Sequence, residues 1–314
     1  MTEDIEAIAA RMLSEAPVRI EPVGGGGNNR LCRVETRSGP VAFKGYRVAD
    51  GDTRDRLGQE WAALSLIHAA FPGSVPRPVA IDRPSGWAAY EWIEGERPTS
   101  RDAADIDAAV AFLTKVQRLR GAAGDLALAS EACLSVDELC RQIQRRLERL
   151  AGIDSLAAFL DELRAAFARL RGSSPDLPRD RQVLSPSDFG FHNTLRRPDG
   201  SLVFLDFEYF GWDDPAKLAS DIHWHPGMGL TAAERRRFDE GLLGLFGGDA
   251  AYPERLGRFR PLIGLRWCLI LLNEFLPQGL ARRRHAGQSE DIEAARRRQL
   301  AKARALYSEV LQGL

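Results

Sequence analysis

Two carboxylates and one amide side chain stand out in the stretch between residues 183 and 215. Asp188 and Asn193 share an Asp-x-x-x-x-Asn segment whose start cannot be helical, because Pro186 restricts the backbone there. Asp206 ends the apolar run at 202–205, which is typical of a short buried strand. A Pro-Asp-Gly turn precedes that run, so a hairpin can bring the three polar side chains to one end.

Phosphoryl transfer from a nucleotide needs such a set of side chains. One carboxylate orients the attacking hydroxyl and accepts its proton, while a second carboxylate and an amide oxygen hold Mg²⁺ on the phosphates. Magnesium prefers hard oxygen ligands, which favours Asp and Asn over His or Cys. Asp and Asn are also common loop residues, but the order of the three matches the phosphotransfer template. We therefore predict Asp188 as the catalytic base and Asn193 and Asp206 as magnesium ligands.

The same stretch resembles a known family. Asp-x-x-x-x-Asn, followed by a strand ending in Leu-Asp-Phe-Glu-Tyr-x-Gly-Trp-x-Asp-Pro, is similar to the aminoglycoside phosphotransferase and choline kinase group of small-molecule kinases. The resemblance is strongest from Leu184 to Pro215 and extends more weakly over most of the chain. Two features depart from the family pattern. Pro186 replaces a His that organises the backbone, and Lys-Leu-Ala-Ser-Asp at 217–221 replaces the usual Asp-Leu-Ala block.

This resemblance implies an α+β, protein-kinase-like fold with two lobes. We expect residues 1–95 to form a small N-terminal lobe, an antiparallel sheet with one main helix that binds the nucleotide phosphates. Residues 96–314 would form a larger, mostly helical lobe with the catalytic loop, the magnesium site and the acceptor-binding helices. The hinge between the lobes would lie near Glu91 and Ile93, where the adenine ring meets backbone groups, with Gly95 at the boundary.

Elements upstream of the catalytic stretch are predicted to hold the phosphates. Alternating strands at 18–23 and 31–36 flank a glycine-rich turn, whose backbone N–H groups can approach phosphate closely. Gly25, Gly26 and Gly27 are therefore candidate nucleotide-binding residues, although a plain flexible hairpin gives the same pattern.

A third strand at 41–47 carries Lys44, and a helix at 54–71 carries Glu60 beside its apolar stripe. In kinases a strand Lys pairs with a Glu on the following helix and holds the α and β phosphates. We predict that Lys44 and Glu60 form this pair. The alternative is that both are solvated surface charges.

Acceptor-binding residues are expected in the C-terminal part, because the resembled family binds its acceptor between the catalytic Asp and the later helices. The candidates are Asp213, Asp221, Trp224, Arg266, Trp267 and Asn273. Polar residues in the apolar helix at 253–275 need a partner or a pocket, so they could equally tie this helix to a neighbour. Aromatic rings could stack on a sugar or hold a quaternary amine. Both interpretations stay open, so the sequence does not identify the acceptor; the candidates are a sugar, an amino sugar, an aminoglycoside and a choline-like alcohol.

Composition and charge limit the classes of function that the chain can have. The 314 residues carry a formal net charge of −1, which gives no electrostatic case for nucleic acid or an anionic membrane. No apolar run reaches transmembrane length, the N-terminus lacks a signal-peptide pattern, and the four cysteines have no metal-ligand spacing. We predict a cytoplasmic enzyme.

These features together predict a phosphotransferase that uses Mg²⁺ and ATP or GTP and acts on the hydroxyl of a small molecule, with a sugar-type hydroxyl favoured. A choline or ethanolamine kinase is an alternative. A nucleotide-binding pseudokinase without transfer activity is another, because the family His is missing. A protein kinase is disfavoured, since Asp-Phe-Glu replaces Asp-Phe-Gly and no long loop follows.

Overall fold

A computed structural model of the chain describes residues 4–24, 29–46, 54–277 and 291–314. They divide into two compact units. The first unit comprises Met1–Ser130 and Pro186–Gly211, and the second comprises Glu131–Ser185 and Trp212–Leu314. These units interleave along the chain, whereas the predicted lobes meet at residue 95; the lobe boundary stays a prediction.

The described residues form strands and helices that we number in chain order. The strands are β1 (Arg19–Pro22), β2 (Arg30–Thr36), β3 (Gly39–Gly45), β4 (Pro78–Asp82), β5 (Trp87–Glu91), β6 (Val183–Ser185), β7 (Thr194–Arg196), β8 (Leu202–Phe204) and β9 (Gly211–Asp213). The helices are α1 (Ile5–Leu13), α2 (Arg56–Ala70), α3 (Ala103–Gln117), α4 (Val136–Leu150), α5 (Ala157–Leu170), α6 (Pro215–Trp224), α7 (Ala232–Phe246), α8 (Tyr252–Leu271) and α9 (Ile292–Gln312).

A five-stranded antiparallel sheet in the order β1-β2-β3-β5-β4 organises the first unit. Phe43 of β3 lies on the face that packs against Ile8 and Ala9 of α1. Because side chains alternate along a strand, the neighbouring Lys44 lies on the opposite face. That face receives α2, which begins after Asp55, whose side chain accepts the N–H of Gly58.

Four aromatic rings hold together the part of the first unit that follows the sheet. Phe112 of α3 and Phe204 of β8 stack with ring centroids 4.3 Å apart. Phe189 packs against both of these rings, and Phe207 packs against Phe112. Phe189 and Phe207 each directly follow a predicted catalytic-site carboxylate, so this cluster anchors both segments in one core.

The second unit is helical and centres on α8, which packs against α4, α6 and α9. The sequence did not predict α6. It begins at Pro215, and the side chain of Asp214 caps its N-terminus by accepting the N–H of Ala216. The predicted helix at 253–275 ends earlier, at Leu271, and continues as a 3₁₀ turn.

None of the helices in the described ranges is long and apolar enough to cross a membrane. The four cysteines, Cys32, Cys133, Cys140 and Cys268, are free thiols. The cytoplasmic location stays a prediction.

Candidate functional site

The structure brings Lys44, Glu60 and Asp206 together in the first unit. The Lys44 ammonium donates to Glu60 Oε2 at 2.6 Å and to Asp206 Oδ1 at 2.8 Å. The side chains of Lys44 and Glu60 are only 13% and 4% exposed, whereas that of Asp206 is 35% exposed. Glu60 is thus a buried partner of the strand lysine rather than a surface charge.

Charge and burial set the ionisation of this pair. Burial by itself lowers the pKa of Lys44, but the carboxylates of Asp206, Glu60 and Glu208 raise the pKa of Lys44 well above its ordinary value. Burial raises the pKa of Glu60, and the Lys44 charge counteracts part of that rise. Lys44 therefore remains a cation at neutral pH among three carboxylates, one of them partly exposed.

Asp188 lies in a tight turn that accommodates Pro186. The N–H of Asp188 donates to the carbonyl of Pro186 at 2.9 Å, and Ser187 between them has a φ of 66°. His192 Nε2 lies 3.2 Å from Asp188 Oδ1, and the amide of Asn193 donates to the Asp188 carbonyl at 3.0 Å. Sequence reasoning did not identify His192 as a neighbour of Asp188, because a 3₁₀ turn over Phe191–Asn193 brings it back.

Asn193 is also tied to the segment that carries Asp206. The N–H of Leu205 donates to the Asn193 carbonyl at 2.9 Å, beside the β7–β8 pairing of Thr194 with Phe204. This pairing brings the predicted catalytic loop to the start of the Asp-Phe-Glu segment. Asp206 itself has a φ of 65°, a left-handed conformation that Asp tolerates better than most residues.

Glu208 adds a third carboxylate that sequence reasoning did not assign to the site. Glu60, Asp206 and Glu208 each offer a carboxylate oxygen within 4.8 Å of one another. Glu208 also accepts a hydrogen bond from Asn29 Nδ2 at 2.6 Å. The signal was in the sequence, since Glu208 is two residues beyond Asp206 in the Asp-Phe-Glu motif.

The donor set around Asp206 fits a magnesium ion. Asp206 and Glu208 provide hard carboxylate oxygens, and Asp206 is partly exposed. Asn193 uses its amide nitrogen for Asp188, which leaves its amide oxygen as the atom for a cation. The set contains no thiolate or imidazole, in keeping with the preference of Mg²⁺ for oxygen.

The remaining nucleotide-binding candidates lie around the sheet. Gly25, Gly26 and Gly27 fall outside the described residues. At the end of β5 the N–H of Glu91 donates to the Arg77 carbonyl at 2.8 Å, and Ile93 is buried. Their contacts with a nucleotide stay predictions.

The acceptor candidates of the second unit form a buried charge network with Lys217. The Lys217 ammonium lies 2.8 Å from Asp213 Oδ2 and 2.9 Å from Asp221 Oδ2. Asp221 Oδ1 accepts from Arg266 at 2.7 Å and from the Trp267 indole at 2.9 Å. Asp213, Lys217, Asp221 and Arg266 are at most 3% exposed.

These contacts favour the interpretation that the polar residues of α8 hold this helix to its neighbours. Burial raises the pKa of Asp221, but the Arg266 and Lys217 charges outweigh it and lower the pKa of Asp221 below its ordinary value. The indole of Trp224 is buried and donates to the Arg260 carbonyl at 2.8 Å. Asn273 lies in the 3₁₀ turn after α8 and is half-buried. Acceptor binding by these residues stays a prediction.

A smaller ion cluster links α6, α7 and α8. His223 Nδ1 lies 3.2 Å from Asp239 Oδ2, and the Arg260 guanidinium donates to both oxygens of Asp239 at 2.8 and 2.6 Å. Burial raises the pKa of Asp239, but the hydrogen bond from His223 and the Arg260 charge together lower the pKa of Asp239. His223 is thus engaged by a carboxylate of its own unit.

Most of the chain matches a known protein family. Residues 19–257 match the sequence profile of the phosphotransferase enzyme family. No curated protein sequence matches the chain.

Solved structures with the same fold include two choline kinases. That of Cryptosporidium parvum has 11% identity and a TM-score of 0.66, over 98% of this chain and 96% of that one. That of Streptococcus pneumoniae has 16% identity and a TM-score of 0.61, over 97% and 98%. A spectinomycin phosphotransferase in complex with ADP and spectinomycin has 13% identity and a TM-score of 0.63, over 93% and 96%.

At these identities the similarity establishes the fold. The predicted α+β, protein-kinase-like fold is confirmed, with a five-stranded antiparallel sheet in the N-terminal part and a mostly helical remainder. The predicted resemblance to aminoglycoside phosphotransferases and choline kinases is confirmed as well.

Proposed function

Because the chain belongs to the phosphotransferase enzyme family, we propose that it transfers the γ-phosphoryl group of ATP or GTP to a hydroxyl of a small molecule. The observation that carries the proposal is the convergence on Lys44 of a buried Glu60 and a partly exposed Asp206. A cation held in this way matches the phosphate-binding arrangement of kinases. Asp188, His192 and Asn193 belong to the same unit and supply the remaining polar groups.

The chain's own residues have distinct parts in the reaction. Lys44, held by Glu60, donates hydrogen bonds to the α and β phosphates and fixes the nucleotide. Asp188 accepts the proton of the acceptor hydroxyl as its oxygen bonds to the γ-phosphorus and the bond to the β-phosphate oxygen breaks. Magnesium held by Asn193 and Asp206, with Glu208 as a further oxygen donor, would neutralise charge on the phosphates.

His192 and Asn193 orient the base. His192 contacts one oxygen of the Asp188 carboxylate, and Asn193 bonds the Asp188 main chain. Such contacts restrict the rotation of the carboxylate and so hold it in line with the acceptor hydroxyl. Positioning and charge stabilisation supply most of the rate in this class of reaction.

A sugar-type hydroxyl, on a sugar, an amino sugar or an aminoglycoside, is the acceptor that we favour. A choline or ethanolamine kinase is the second candidate, because choline kinases are among the structural neighbours. A quaternary ammonium group needs open aromatic faces. Trp224 is buried with its indole N–H bonded to Arg260, which removes one candidate ring from such a cage.

Nucleotide binding and turnover test the proposal together. Thermal stabilisation of the wild type by ATP and by GTP would be measured with and without magnesium. ADP or GDP release would then be followed with glucosamine, kanamycin, spectinomycin, choline and ethanolamine as acceptors. We expect stabilisation that requires magnesium, and release with at least one hydroxyl acceptor.

The matched variant is Asp188→Ala, which should bind the nucleotide as the wild type does and should not transfer phosphate. Turnover retained in this variant would refute the assignment of the base. Absence of a nucleotide effect on the wild type would refute the proposed function. Magnesium-dependent binding without release with any acceptor would favour the pseudokinase alternative.

A further inference from the structure

Two tyrosines of the sheet face the Lys44–Glu60 pair. Tyr46 is two residues beyond Lys44. Tyr90 of β5 pairs in register with Ala42, which is two residues before Lys44. Positions two apart on a strand, and positions directly opposite in an antiparallel pair, share a face of the sheet. The two hydroxyl groups therefore lie on the same face as the Lys44 ammonium.

The hydroxyl groups form a chain that ends on Glu60. Tyr46 Oη donates to Glu60 Oε2 at 2.6 Å, and the hydroxyl oxygens of Tyr46 and Tyr90 are 2.8 Å apart. An ionised carboxylate only accepts hydrogen bonds, so the single hydroxyl proton of Tyr46 goes to Glu60. Tyr90 must then donate to Tyr46, which gives the chain one direction.

The first link of this chain is a permanent donor. Burial raises the pKa of Tyr46 well above its ordinary value, and the neighbouring Glu60 charge raises it further. The hydroxyl of Tyr46 therefore keeps its proton throughout the pH range of ordinary assays.

Glu60 needs this donor because it is buried. Its Oε2 accepts from Lys44 and from Tyr46, and its Oε1 accepts from the N–H of Phe207 at the longer distance of 3.3 Å. Lys44 is shared with Asp206 and has to turn towards a phosphate when a nucleotide binds. Tyr46 then provides a short hydrogen bond to Glu60 that does not have to change when the nucleotide binds.

We propose that Tyr46 and Tyr90 are positioning residues for nucleotide phosphate binding: Tyr90 orients the Tyr46 hydroxyl, which fixes the Glu60 carboxylate that aims Lys44. The inference rests on the proposed function and extends it to two residues outside the phosphate-binding motif. Neither tyrosine touches the reacting atoms in this scheme. Both act through Glu60.

Removal of single hydroxyl groups tests the proposal. Tyr46→Phe keeps the ring over which the Lys44 ammonium lies at 5.1 Å, and deletes only the donor to Glu60. We expect its dissociation constant for MgATP to rise roughly 10-fold, the scale of a hydrogen bond to a charged group. The affinity for adenosine, which has no phosphates, should stay unchanged. If GTP is the better nucleotide, MgGTP and guanosine replace this pair.

Tyr90→Phe and the double variant make the direction of the chain measurable. Tyr90→Phe leaves the bond between Tyr46 and Glu60 in place, so its loss of MgATP affinity should be smaller than that of Tyr46→Phe. Because Tyr90 acts through Tyr46, the double variant should bind MgATP as Tyr46→Phe does. Additive losses would overturn the proposal that Tyr90 acts through Tyr46. If Tyr46→Phe does not fold, Tyr90→Phe alone tests the proposal by the same comparison of MgATP with adenosine.

A matched control comes from the second unit. Tyr252 is 1% exposed, and its hydroxyl has no hydrogen-bond partner among the described residues, so Tyr252→Phe should bind both ligands as the wild type does. Equal losses for MgATP and adenosine in Tyr46→Phe would indicate a general packing defect and overturn the proposal, as would no loss for either ligand. A wild type that binds no nucleotide would instead refute the proposed function itself.

Discussion

Lys217→Met probes the buried charge network that α6 and α8 form in the second unit. The change removes the ammonium group and keeps an unbranched side chain of similar length. Asp221 retains Arg266 and the Trp267 indole as partners. Among the described residues, Asp213 retains two backbone N–H groups on Oδ1, and its Oδ2 loses the Lys217 charge. The variant therefore leaves one buried carboxylate without a compensating cation.

The expected cost follows from that loss. Breaking a buried ion pair by removal of one partner costs about 3–5 kcal/mol, because an uncompensated charge remains out of water. This is a large part of the ~5–15 kcal/mol by which a typical protein is stable. At ~2–4 °C per kcal/mol the melting temperature should fall by roughly 6–20 °C. Burial raises the pKa of Asp213 against the Lys217 charge, so the loss should be smaller in acid, where Asp213 can be protonated.

Thermal unfolding followed by circular dichroism measures this effect, and the double variant Lys217→Met/Asp213→Asn is its control. Neutralising Asp213 removes the orphaned charge, so the double variant should recover more than half of the lost stability. A melting temperature of Lys217→Met within about 2 °C of the wild type would refute the reasoning. A variant that melts like the wild type but loses turnover would favour the acceptor-binding interpretation of the network.

Three further predictions concern single positions. Asp206→Ala should weaken nucleotide binding in the presence of magnesium far more than in its absence, and an unchanged magnesium requirement in a titration would remove Asp206 from the metal site. Asp239→Asn should lower the free energy of unfolding at neutral pH and approach that of the wild type in acid. The pKa of Asp239 is lower in the folded protein than in the unfolded chain, where it is about 4, so the ionised carboxylate stabilises the fold above that pH. This contribution is lost as the pH falls through the pKa of the folded state. A gap in melting temperature that does not depend on pH would contradict it. Gly211→Ala would place a Cβ 2.4 Å from the Ala127 carbonyl oxygen and should cost about 1–3 kcal/mol in denaturant unfolding, whereas Gly121→Ala, which meets nothing within 4 Å, should cost much less.

Periodic surface helices and alternating strands were predicted well from the sequence. The sequence predicts a helix at 136–150, and α4 spans this range, Val136–Leu150, because Ser135 caps it and its apolar residues keep to one side. The sequence also predicts a helix at 108–119, and the start of that prediction is wrong. Helix α3 begins at Ala103, since Asp102 and Asp105 form a capping box.

Helix α6 was missed for a physical reason. Almost all of its residues are buried, including Lys217 and Asp221, so the polar and apolar sides that reveal a helix are absent. Only the Asp214–Pro215 start signal was available. A buried charged residue is favourable only beside its partners, and Arg266 comes from α8.

Among the candidate site residues too, local sequence patterns were predictable and contacts that depend on packing were not. The order of Asp188, Asn193 and Asp206 could be recognised because it follows the phosphotransfer template along one stretch. Tyr46 could have been placed on the Lys44 face by strand alternation alone. Its bond to Glu60 could not, because that contact depends on how α2 packs against the sheet.

The aromatic cluster of the first unit bears on how the site opens. Phe189 and Phe207 are the immediate chain neighbours of Asp188 and Asp206. The Phe189 ring packs with Phe112 and Phe204, and the Phe207 ring packs with Phe112. Local fluctuations that released either carboxylate segment would have to pull a ring out of this core. The amide hydrogens of Leu205 and Phe207, bonded to Asn193 and Glu60, should therefore exchange with solvent only when the surrounding core opens.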